Sequence, residues 1–348
     1  MDHPLTAGGG GAGRARRDPG ALVGWGGDWA GLRVAVLGLD AEGFAAADTL
    51  VELGADALVV AAAPDEDRER VLDVLGVTVL READASARAA AVDRFGPDLV
   101  VASSRWDPAE ASLAAARAAG LPVWGEVELA WRIRDKASGE APWILVTGGR
   151  GAPIVAELTT RMLEAGELRA APCGSGGVPV LDAVRDPEGF AAFVVELDAP
   201  ALALLGGAVE PHASVCVDAG GERDPAALAV LGTVYRNTSV ACVYNRGDAR
   251  TEKMVQEADV IEGARAIGFG LDAPGMSDLG IVDGILCDRA FLAERRDTAL
   301  ELCTLDELRG VGLADRGSVT AILAAAALAR SLGVTPGTIH SLVLALGG

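Results

Sequence analysis

The sequence predicts an α/β protein of two domains, the first of them a Rossmann-like domain with a parallel sheet. At 348 residues the chain is long enough for two domains that each bury a core. Short apolar segments alternate with alanine-rich helical segments, which is the order found in parallel α/β folds. Half of the residues (50%) are hydrophobic but only 4% are aromatic, so the core is expected to consist mainly of Ala, Val and Leu.

The first domain is predicted to span residues 30 to 132. It opens with the β-branched run LRVAVLGL (Leu32 to Leu39), followed by the helical pattern FAAADTLVELG and the strand ALVVAAA (Ala57 to Ala63). The pattern continues through VLDVLGVTVL, PDLVVASS and ASLAAARAAG to LPVWG, which indicates βαβ units and a parallel sheet. Residues 1 to 20 are rich in glycine and polar residues and lack hydrophobic periodicity, which predicts a disordered tail.

The second domain is predicted to span residues 143 to 348, after a charged linker at residues 133 to 142. It begins with APWILVTGGRGAPIVAELTTRML (Ala141 to Leu163), a strand, a glycine turn and a helix. This is the frame of a phosphate-binding loop and predicts a P-loop NTPase-like α/β domain. Strands and helices then alternate up to a short hairpin, LGIVDGILCDRAFL, and two helices follow it, SVTAILAAAALARSLG and PGTIHSLVLAL.

The residues of the loop are not those that hold a nucleoside triphosphate. A working loop ends in Gly-Lys-Ser/Thr, because the lysine binds the β- and γ-phosphates and the hydroxyl binds Mg²⁺. The loop here reads Gly148, Gly149, Arg150, Gly151, and it continues with Ala152, Pro153 and Ile154. Ala152 has no charge, Pro153 has no N–H and Ile154 has no hydroxyl. We interpret residues 148–151 as a degenerate phosphate loop in which the turn is kept and the site is lost.

A partial dinucleotide-binding pattern follows the first strand. Gly38 and Gly43 are present, but Glu42 occupies the position where a glycine would admit a pyrophosphate. The second strand ends in alanines and lacks the acidic residue that contacts a ribose. We interpret this fragment as a tight turn from strand to helix rather than as a cofactor site.

Charge and composition exclude several classes of function. Fifty acidic residues against 30 basic ones give a net charge of −20, which repels nucleic acid and anionic membranes, so neither is expected as a partner. The sequence contains no apolar run of about 18 residues and no signal-peptide pattern, which predicts a cytoplasmic protein. The five cysteines are widely spaced, and we expect them to be small buried hydrophobic residues rather than disulfide partners or zinc ligands.

The order of these segments resembles the Mur ligases of peptidoglycan synthesis, in particular the D-glutamate-adding ligase of actinobacterial type. The similar stretches are VLGLDAEGFAAADTLVELGA, LPVWGEVELAWRIRD leading into PWILVTG, GVPVLDAV, VACVYN and ILAAAALAR, and the resemblance covers about residues 30 to 345. It implies an N-terminal domain that binds the UDP-sugar and a central domain that binds ATP. It also implies chemistry through an acyl-phosphate. The family's C-terminal amino-acid-binding domain is expected to be absent.

The resemblance also implies where ligands bind. It places the UDP-sugar at the turn Gly38, Leu39, Asp40 and at the loop Ser103, Ser104, Arg105, which stands where the family has Ser-Pro-Gly. It leaves Asn245 and Asp248 as remaining residues of the nucleotide site, beside the degenerate loop. It leaves Glu196 as a vestigial metal ligand.

Several catalytic positions of the family are changed in this chain. Ser175 replaces an asparagine, and Leu231 stands where the family has the lysine that it carbamylates to support magnesium. The family's Asp-His-Leu-Asp-Trp-His stretch reads Asp218 to Arg223 without a histidine. The His-Asn pair at the start of the last central-domain helix is Arg316-Gly317. These losses together predict a protein without ligase activity.

The first functional hypothesis is therefore a catalytically inactive Mur-ligase-like protein that binds, scaffolds or regulates in cell-wall precursor synthesis. Its expected partner is an active Mur ligase or another cell-wall enzyme, a UDP-sugar is a possible ligand, and no cofactor is expected. The alternative is an ATP-dependent ligase that adds D-glutamate to UDP-N-acetylmuramoyl-L-alanine and uses a separate chain for the missing domain. Only this alternative requires ATP and Mg²⁺. A third possibility is a sensor that binds the UDP-sugar or a nucleotide without turnover.

Overall fold

The computed structural model describes residues 16–137, 139–294 and 296–347. The strands are β1 Arg33–Leu37, β2 Asp56–Ala61, β3 Thr78–Arg81, β4 Leu99–Ala102, β5 Val123–Gly125, β6 Trp143–Thr147, β7 Ala170–Gly174, β8 Ala192–Glu196, β9 Ala213–Cys216, β10 Ala241–Asn245, β11 Arg265–Phe269, β12 Asp278–Val282, β13 Ile285–Asp288 and β14 Leu300–Thr304. The α-helices are α1 Ala41–Glu52, α2 Glu66–Val74, α3 Ala85–Phe95, α4 Ala111–Ala118, α5 Glu126–Arg132, α6 Ala152–Ala165, α7 Val180–Val184, α8 Ala199–Ala203, α9 Pro225–Gly232, α10 Ala249–Gln256, α11 Leu305–Gly310, α12 Arg316–Ser331 and α13 Pro336–Ala345.

The first sheet has five parallel strands in the order β3-β2-β1-β4-β5. The β-branched run of β1 is buried, as the central strand of a doubly wound sheet requires. The chain moves outwards from β1 in one direction to β2 and β3 and in the other to β4 and β5. The carboxyl ends of β1 and β4 therefore form a topological switch point, where open α/β sheets bind their ligands.

The second sheet has nine strands in the order β14-β13-β12-β11-β10-β9-β6-β8-β7. The strands from β7 to β12 are parallel, whereas β12, β13 and β14 pair in antiparallel fashion. The predicted hairpin is present: Asp283 and Gly284 have φ values of 50° and 80°, which a two-residue turn of type I′ needs. The predicted α/β fold class is confirmed.

Small side chains allow the helices to pack closely on this sheet. Asp315 caps α12 by accepting hydrogen bonds from the N–H groups of Gly317 and Ser318, at 2.9 and 3.1 Å. The alanine-rich body of α12 is fully buried against α6 and the sheet. The core around α12 therefore consists mainly of small aliphatic side chains, as the composition predicts.

The two sheets share one hydrophobic cluster. It contains Val34 and Leu50 beside the first sheet and Leu145 and Phe193 of the second. The predicted linker runs along this cluster, and its first residue, Ile133, is fully buried. The division of the chain into domains at residues 132 and 143 stays a prediction.

The remaining sequence predictions concern tails, thiols and membranes. Of the predicted disordered tail, residues 1 to 15 lie outside the described residues, and in the rest the N–H of Arg17 donates to Asp98 Oδ1 at 3.0 Å. All five cysteines are buried, as predicted. Among the described residues no helix combines the length and the apolarity needed to cross a bilayer.

Candidate functional site

The altered loop forms a tight turn between β6 and α6. Gly148 has a φ of 119°, and a Cβ atom at this position would lie 2.8 Å from the carbonyl oxygen of Asp218 and from the N–H of Val217. Only glycine tolerates both the backbone conformation and the close approach. The N–H of Gly149 donates to the same Asp218 carbonyl at 3.1 Å. The loop backbone is therefore fixed against the residues that follow β9.

The amino terminus of α6 offers little to a phosphate group. Ala152, the first helical residue, is buried, and Pro153 follows it without an N–H. Pro153 also stands where the hydroxyl that binds Mg²⁺ would be needed, and Ile154 after it is 53% exposed and apolar. Consecutive N–H groups make a helix start an anion site, and Pro153 removes one of them here.

The side chain of Asp218 lies against this loop. A Cβ atom at Gly149 would overlap Asp218 Oδ1, and the same carboxylate oxygen accepts a hydrogen bond of 2.7 Å from the N–H of Gly220. The carboxylate therefore stands beside the glycines that would surround a phosphate. Without a lysine in the loop, its negative charge opposes the binding of a triphosphate.

An open groove of about 730 Å³ lies next to the loop, at the carboxyl ends of β9, β10 and β11. Three arginines line it: Arg150 of the loop, Arg246 after β10 and Arg316 at the start of α12. Arg246 is paired with Asp272 at 2.6 Å and with Asp278 at 3.3 Å. Arg150 and Arg316 have no ion pair with any of the described residues. Asp218 and Asp272 also line the groove, so Arg150 and Arg316 are the cationic groups that it offers to an anionic ligand.

Asn245 and Asp248 both hold the loops around the groove together. Asn245 donates from Nδ2 to the carbonyl of Val217 at 2.9 Å, and Asp248 accepts from the N–H of Ala219 at 3.0 Å. Burial by itself would raise the pKa of Asp248, but hydrogen bonds from Arg250 and Ala219 outweigh burial and lower that pKa. Asn245 lines the groove, whereas Asp248 caps α10. Their nucleotide-binding role stays a prediction, since Asx and capping hydrogen bonds account for these contacts.

Glu196 ends β8 and faces a second groove, on the side of α6 that also carries Pro153 and Glu157. Burial, followed by the negative charge of Asp198, raises the pKa of Glu196. No three His, Cys, Asp or Glu side chains converge as a metal site would need in the described ranges of the chain. The assignment of Glu196 as a vestigial magnesium ligand stays a prediction.

The predicted UDP-sugar residues meet at the switch point of the first sheet. Gly38 and Leu39 follow β1, and Asp40 caps α1 by accepting from the N–H of Gly43 at 3.0 Å. Ser103 and Ser104 follow β4 and are buried, while Arg105 beside them is exposed. The hydroxyl of Ser103 donates to Asp40 Oδ2, so the structure brings both predicted segments together.

Glu42 is the residue of this crevice that the sequence reading did not assign to the site. Its carboxylate accepts hydrogen bonds from the N–H and the hydroxyl of Ser104, at 2.7 and 2.8 Å. The sequence does mark Glu42 as unusual, because it stands at a position where a phosphate-binding turn has glycine. Its partner, 62 residues further along the chain, was not visible.

The comparison with known proteins identifies relatives of one family. A UDP-N-acetylmuramoylalanine–D-glutamate ligase of Leifsonia xyli subsp. xyli is 50% identical over 341 residues, which cover 93% of this chain and 66% of that protein. Ligases of the same name from Tropheryma whipplei (strain TW08/27) and Streptomyces avermitilis are each 41% identical, over 90% and 88% of this chain. The chain thus spans about two thirds of the length of these curated relatives, 65 to 66%. No protein-family model matches it.

Solved structures show the same fold. The UDP-N-acetylmuramate:L-alanyl-gamma-D-glutamyl-meso-diaminopimelate ligase from Neisseria meningitides has a TM-score of 0.54 at 16% identity, covering 91% of this chain and 98% of that one. A murein peptide ligase from Psychrobacter arcticus has a TM-score of 0.52 at 13% identity, covering 90% and 68%. The fold and the sequence relatives together place the chain in the Mur ligase family. Within that family, the curated relatives above are all UDP-N-acetylmuramoylalanine–D-glutamate ligases, and the predicted resemblance is confirmed.

Proposed function

We propose that this protein acts at the D-glutamate-adding step of peptidoglycan precursor synthesis, on UDP-N-acetylmuramoyl-L-alanine, and that it does so in the cytoplasm. The observation that carries the proposal is the 50% identity, over 93% of the chain, to a protein named for that reaction. The retained switch-point crevice and arginine-lined groove are consistent with two anionic ligands.

The first mode of action is the ligase itself, which the names of the relatives favour over the inactive protein that the loop residues alone predict. ATP would then lie in the groove with its phosphates near Arg150 and Arg316, since guanidinium groups bind phosphate oxygens in pairs of hydrogen bonds. The phosphate side of this site does not fit ATP in the way a lysine-containing loop does. The amino-acid-binding part would have to come from outside these 348 residues.

The second mode is a protein that binds the UDP-linked precursor, or an active Mur ligase or other cell-wall enzyme, without catalysis. The observations that favour it are Ala152, Pro153 and the Asp218 carboxylate at the loop, and Leu231 on α9. Phosphoryl transfer depends mostly on positioning and charge neutralisation, so a loop without its lysine is expected to lose most of its catalytic power.

Release of ADP and phosphate separates the two modes. The purified chain is incubated with MgATP, UDP-N-acetylmuramoyl-L-alanine and D-glutamate, alone and with the C-terminal domain of a relative added as a separate polypeptide. The ligase mode predicts release that requires all three substrates and falls at least about tenfold in Arg150→Ala and Arg316→Ala. Arg161→Ala is the matched control, because Arg161 lies on the exposed face of α6 and pairs with Glu157.

The binding mode predicts no release in any of these mixtures but saturable binding of the UDP-linked precursor in calorimetry. Release that persists in both arginine variants would exclude the groove as the ATP site. The absence of both phosphate release and precursor binding would contradict the proposed step as a whole.

A further inference from the structure

The switch-point crevice of the first sheet already holds an anion, which is the side chain of Glu42. One carboxylate oxygen accepts from the N–H of Ser104 at 2.7 Å, and the other accepts from the Ser104 hydroxyl at 2.8 Å. The first oxygen also lies 3.4 Å from the hydroxyl of Ser103. Because the Ser103 hydroxyl proton is donated to Asp40, the Glu42 carboxylate is held mainly by the N–H and the hydroxyl of Ser104, which are donors of the kind that bind phosphate oxygens.

These contacts are not needed to begin α1. Asp40 already caps the helix through the N–H of Gly43, and it also accepts the Ser103 hydroxyl. The backbone of the turn is fixed separately by Gly43, where any Cβ atom would overlap the carbonyl of Gly38. Glu42 is therefore an addition to a turn that is already capped and closed.

Little space is left beside the carboxylate. The narrow pocket that Glu42 and Ser104 share with Glu126 and Ser175 has a volume of about 10 Å³. A single water molecule needs about that much, so a phosphate group does not fit while Glu42 is in place. Ser103 and Ser104 are buried, which means that an incoming ligand reaches their donors only when the carboxylate has moved away.

We propose that Glu42 is an internal anion that competes with the diphosphate of a nucleotide-linked ligand for Ser104, and so sets the affinity and selectivity of this crevice. The inference rests on the proposed function, because it takes the ligand to be a UDP-linked precursor. Arg105, exposed beside the crevice, then attracts the diphosphate that displaces Glu42.

The experiment measures binding of UDP and of uridine to the full chain by calorimetry, in the unaltered protein and in Glu42→Ser and Glu42→Gln. The serine variant frees both Ser104 donors and removes one negative charge. We expect its affinity for UDP to rise at least about tenfold, the ratio associated with hydrogen bonds to a charged group, while uridine binding is unchanged. The glutamine variant keeps the size of the side chain but not its charge. Its affinity for UDP should lie between those of the unaltered chain and the serine variant.

Glu66→Ser is the matched control. It removes an acidic residue from the first turn of α2, beside the same sheet, and changes the net charge by the same amount. Its UDP affinity should equal that of the unaltered chain. Thermal unfolding of each variant shows that the fold is kept, and the glutamine variant decides the question if the serine variant does not fold.

The possible results are distinct. Equal UDP affinity in the unaltered chain and both Glu42 variants overturns the inference while leaving the proposed function standing. An equal gain for UDP and uridine also overturns it, because Glu42 would then block by its size rather than by its charge. The absence of UDP binding from every protein tested overturns both the inference and the proposed UDP-linked ligand.

Discussion

The carboxylate of Glu126 accepts a hydrogen bond of 2.9 Å from the N–H of Leu181, and through this contact α5 beside the first sheet holds the start of α7 beside the second. Glu126 is buried, and its carboxylate faces Glu42, Asp182 and the thiol of Cys173. α7 has no side-chain cap of its own, so Glu126 takes that place. The junction between the sheets therefore contains a titratable group.

The stability of the protein is expected to depend on the protonation of Glu126. Burial, above all, raises its pKa from the ordinary 4.5 to about 8, although the Leu181 hydrogen bond acts in the opposite direction. The folded state thus favours the protonated acid, and this contribution is complete below pH 4.5 and lost as the pH rises through about 8. Each unit of pKa difference corresponds to about 1.4 kcal/mol, so the total is a few kcal/mol.

Glu126→Gln tests this pH dependence. Relative to the unaltered chain, the variant should gain unfolding free energy steadily between pH 5 and about pH 8, as urea titrations at each pH would measure. Glu66→Gln, at an exposed position, serves as the control, and its free energy of unfolding should change with pH in the same way as that of the unaltered protein. A constant difference between Glu126→Gln and the unaltered chain at every pH would show that Glu126 does not titrate in this range.

Arg185 is expected to stabilise the contact between α1 and the end of α7. Its guanidinium lies 2.7 Å from Asp48 Oδ2, 2.8 Å from Glu52 Oε2 and 3.0 Å from the hydroxyl of Thr49. Because Glu52 is partly exposed and screened by solvent, we expect Arg185→Ala to cost about 1 to 2 kcal/mol. Arg70→Ala, whose partners are exposed on α2, should cost less than about 0.5 kcal/mol. Equal losses in urea unfolding of the two variants would contradict the role of Arg185.

Arg330 joins α12 to the antiparallel part of the second sheet. It lies 2.8 Å from Asp288, which is fully buried, and donates to the carbonyls of Val334 and Phe291. Removal of one partner leaves an uncompensated buried charge, so Arg330→Ala should lower the free energy of unfolding by about 3 to 5 kcal/mol. The exposed Arg309→Ala is the comparison, and a loss no greater than that of Arg309→Ala would refute the expectation.

Restoring the chemistry of the phosphate loop should restore affinity for ATP. The turn at Gly148 is intact, so the double variant Ala152→Lys, Pro153→Thr regains the lysine, one N–H and a hydroxyl. Calorimetry should show MgATP binding at least about tenfold tighter than in the unaltered chain. Adding Gly148→Ala should abolish the gain, because a Cβ there would lie 2.8 Å from the backbone after β9. No gain in the double variant would contradict this expectation and would mean that another feature of the groove, such as the Asp218 carboxylate, excludes ATP.

Local patterns were enough to predict much of the fold. The runs that became β1 and β2, the turn at Gly38, and the Asp283-Gly284 hairpin all follow from residues that are neighbours in sequence. The family resemblance assigned Gly38 to Asp40, after β1, and Ser103 to Arg105, after β4, to one ligand site. Their meeting in one crevice follows only from the strand order, in which β1 lies beside β4.

Contacts between loops that follow neighbouring strands of a sheet could not be predicted from the sequence. That Asp218 would lie against Gly149, or Glu42 bond to Ser104, depends on the register of parallel strands that are far apart in the chain. Such pairs produce no periodic pattern in the sequence, because each residue taken alone is an ordinary acidic or hydroxyl residue of a loop. Glu126 shows the same limit, because a glutamate in the first turn of a helix is ordinary and only burial makes it unusual.

The most direct test of the central claim compares two ligands that share the UDP group. Binding of UDP-N-acetylmuramoyl-L-alanine and of UDP-N-acetylglucosamine to the unaltered chain is measured side by side by calorimetry. A protein of the D-glutamate-adding step should bind the muramoyl-alanine ligand at least about tenfold more tightly, whether or not it turns it over. Equal affinity for the two ligands, or no binding of the muramoyl-alanine ligand, would contradict the account.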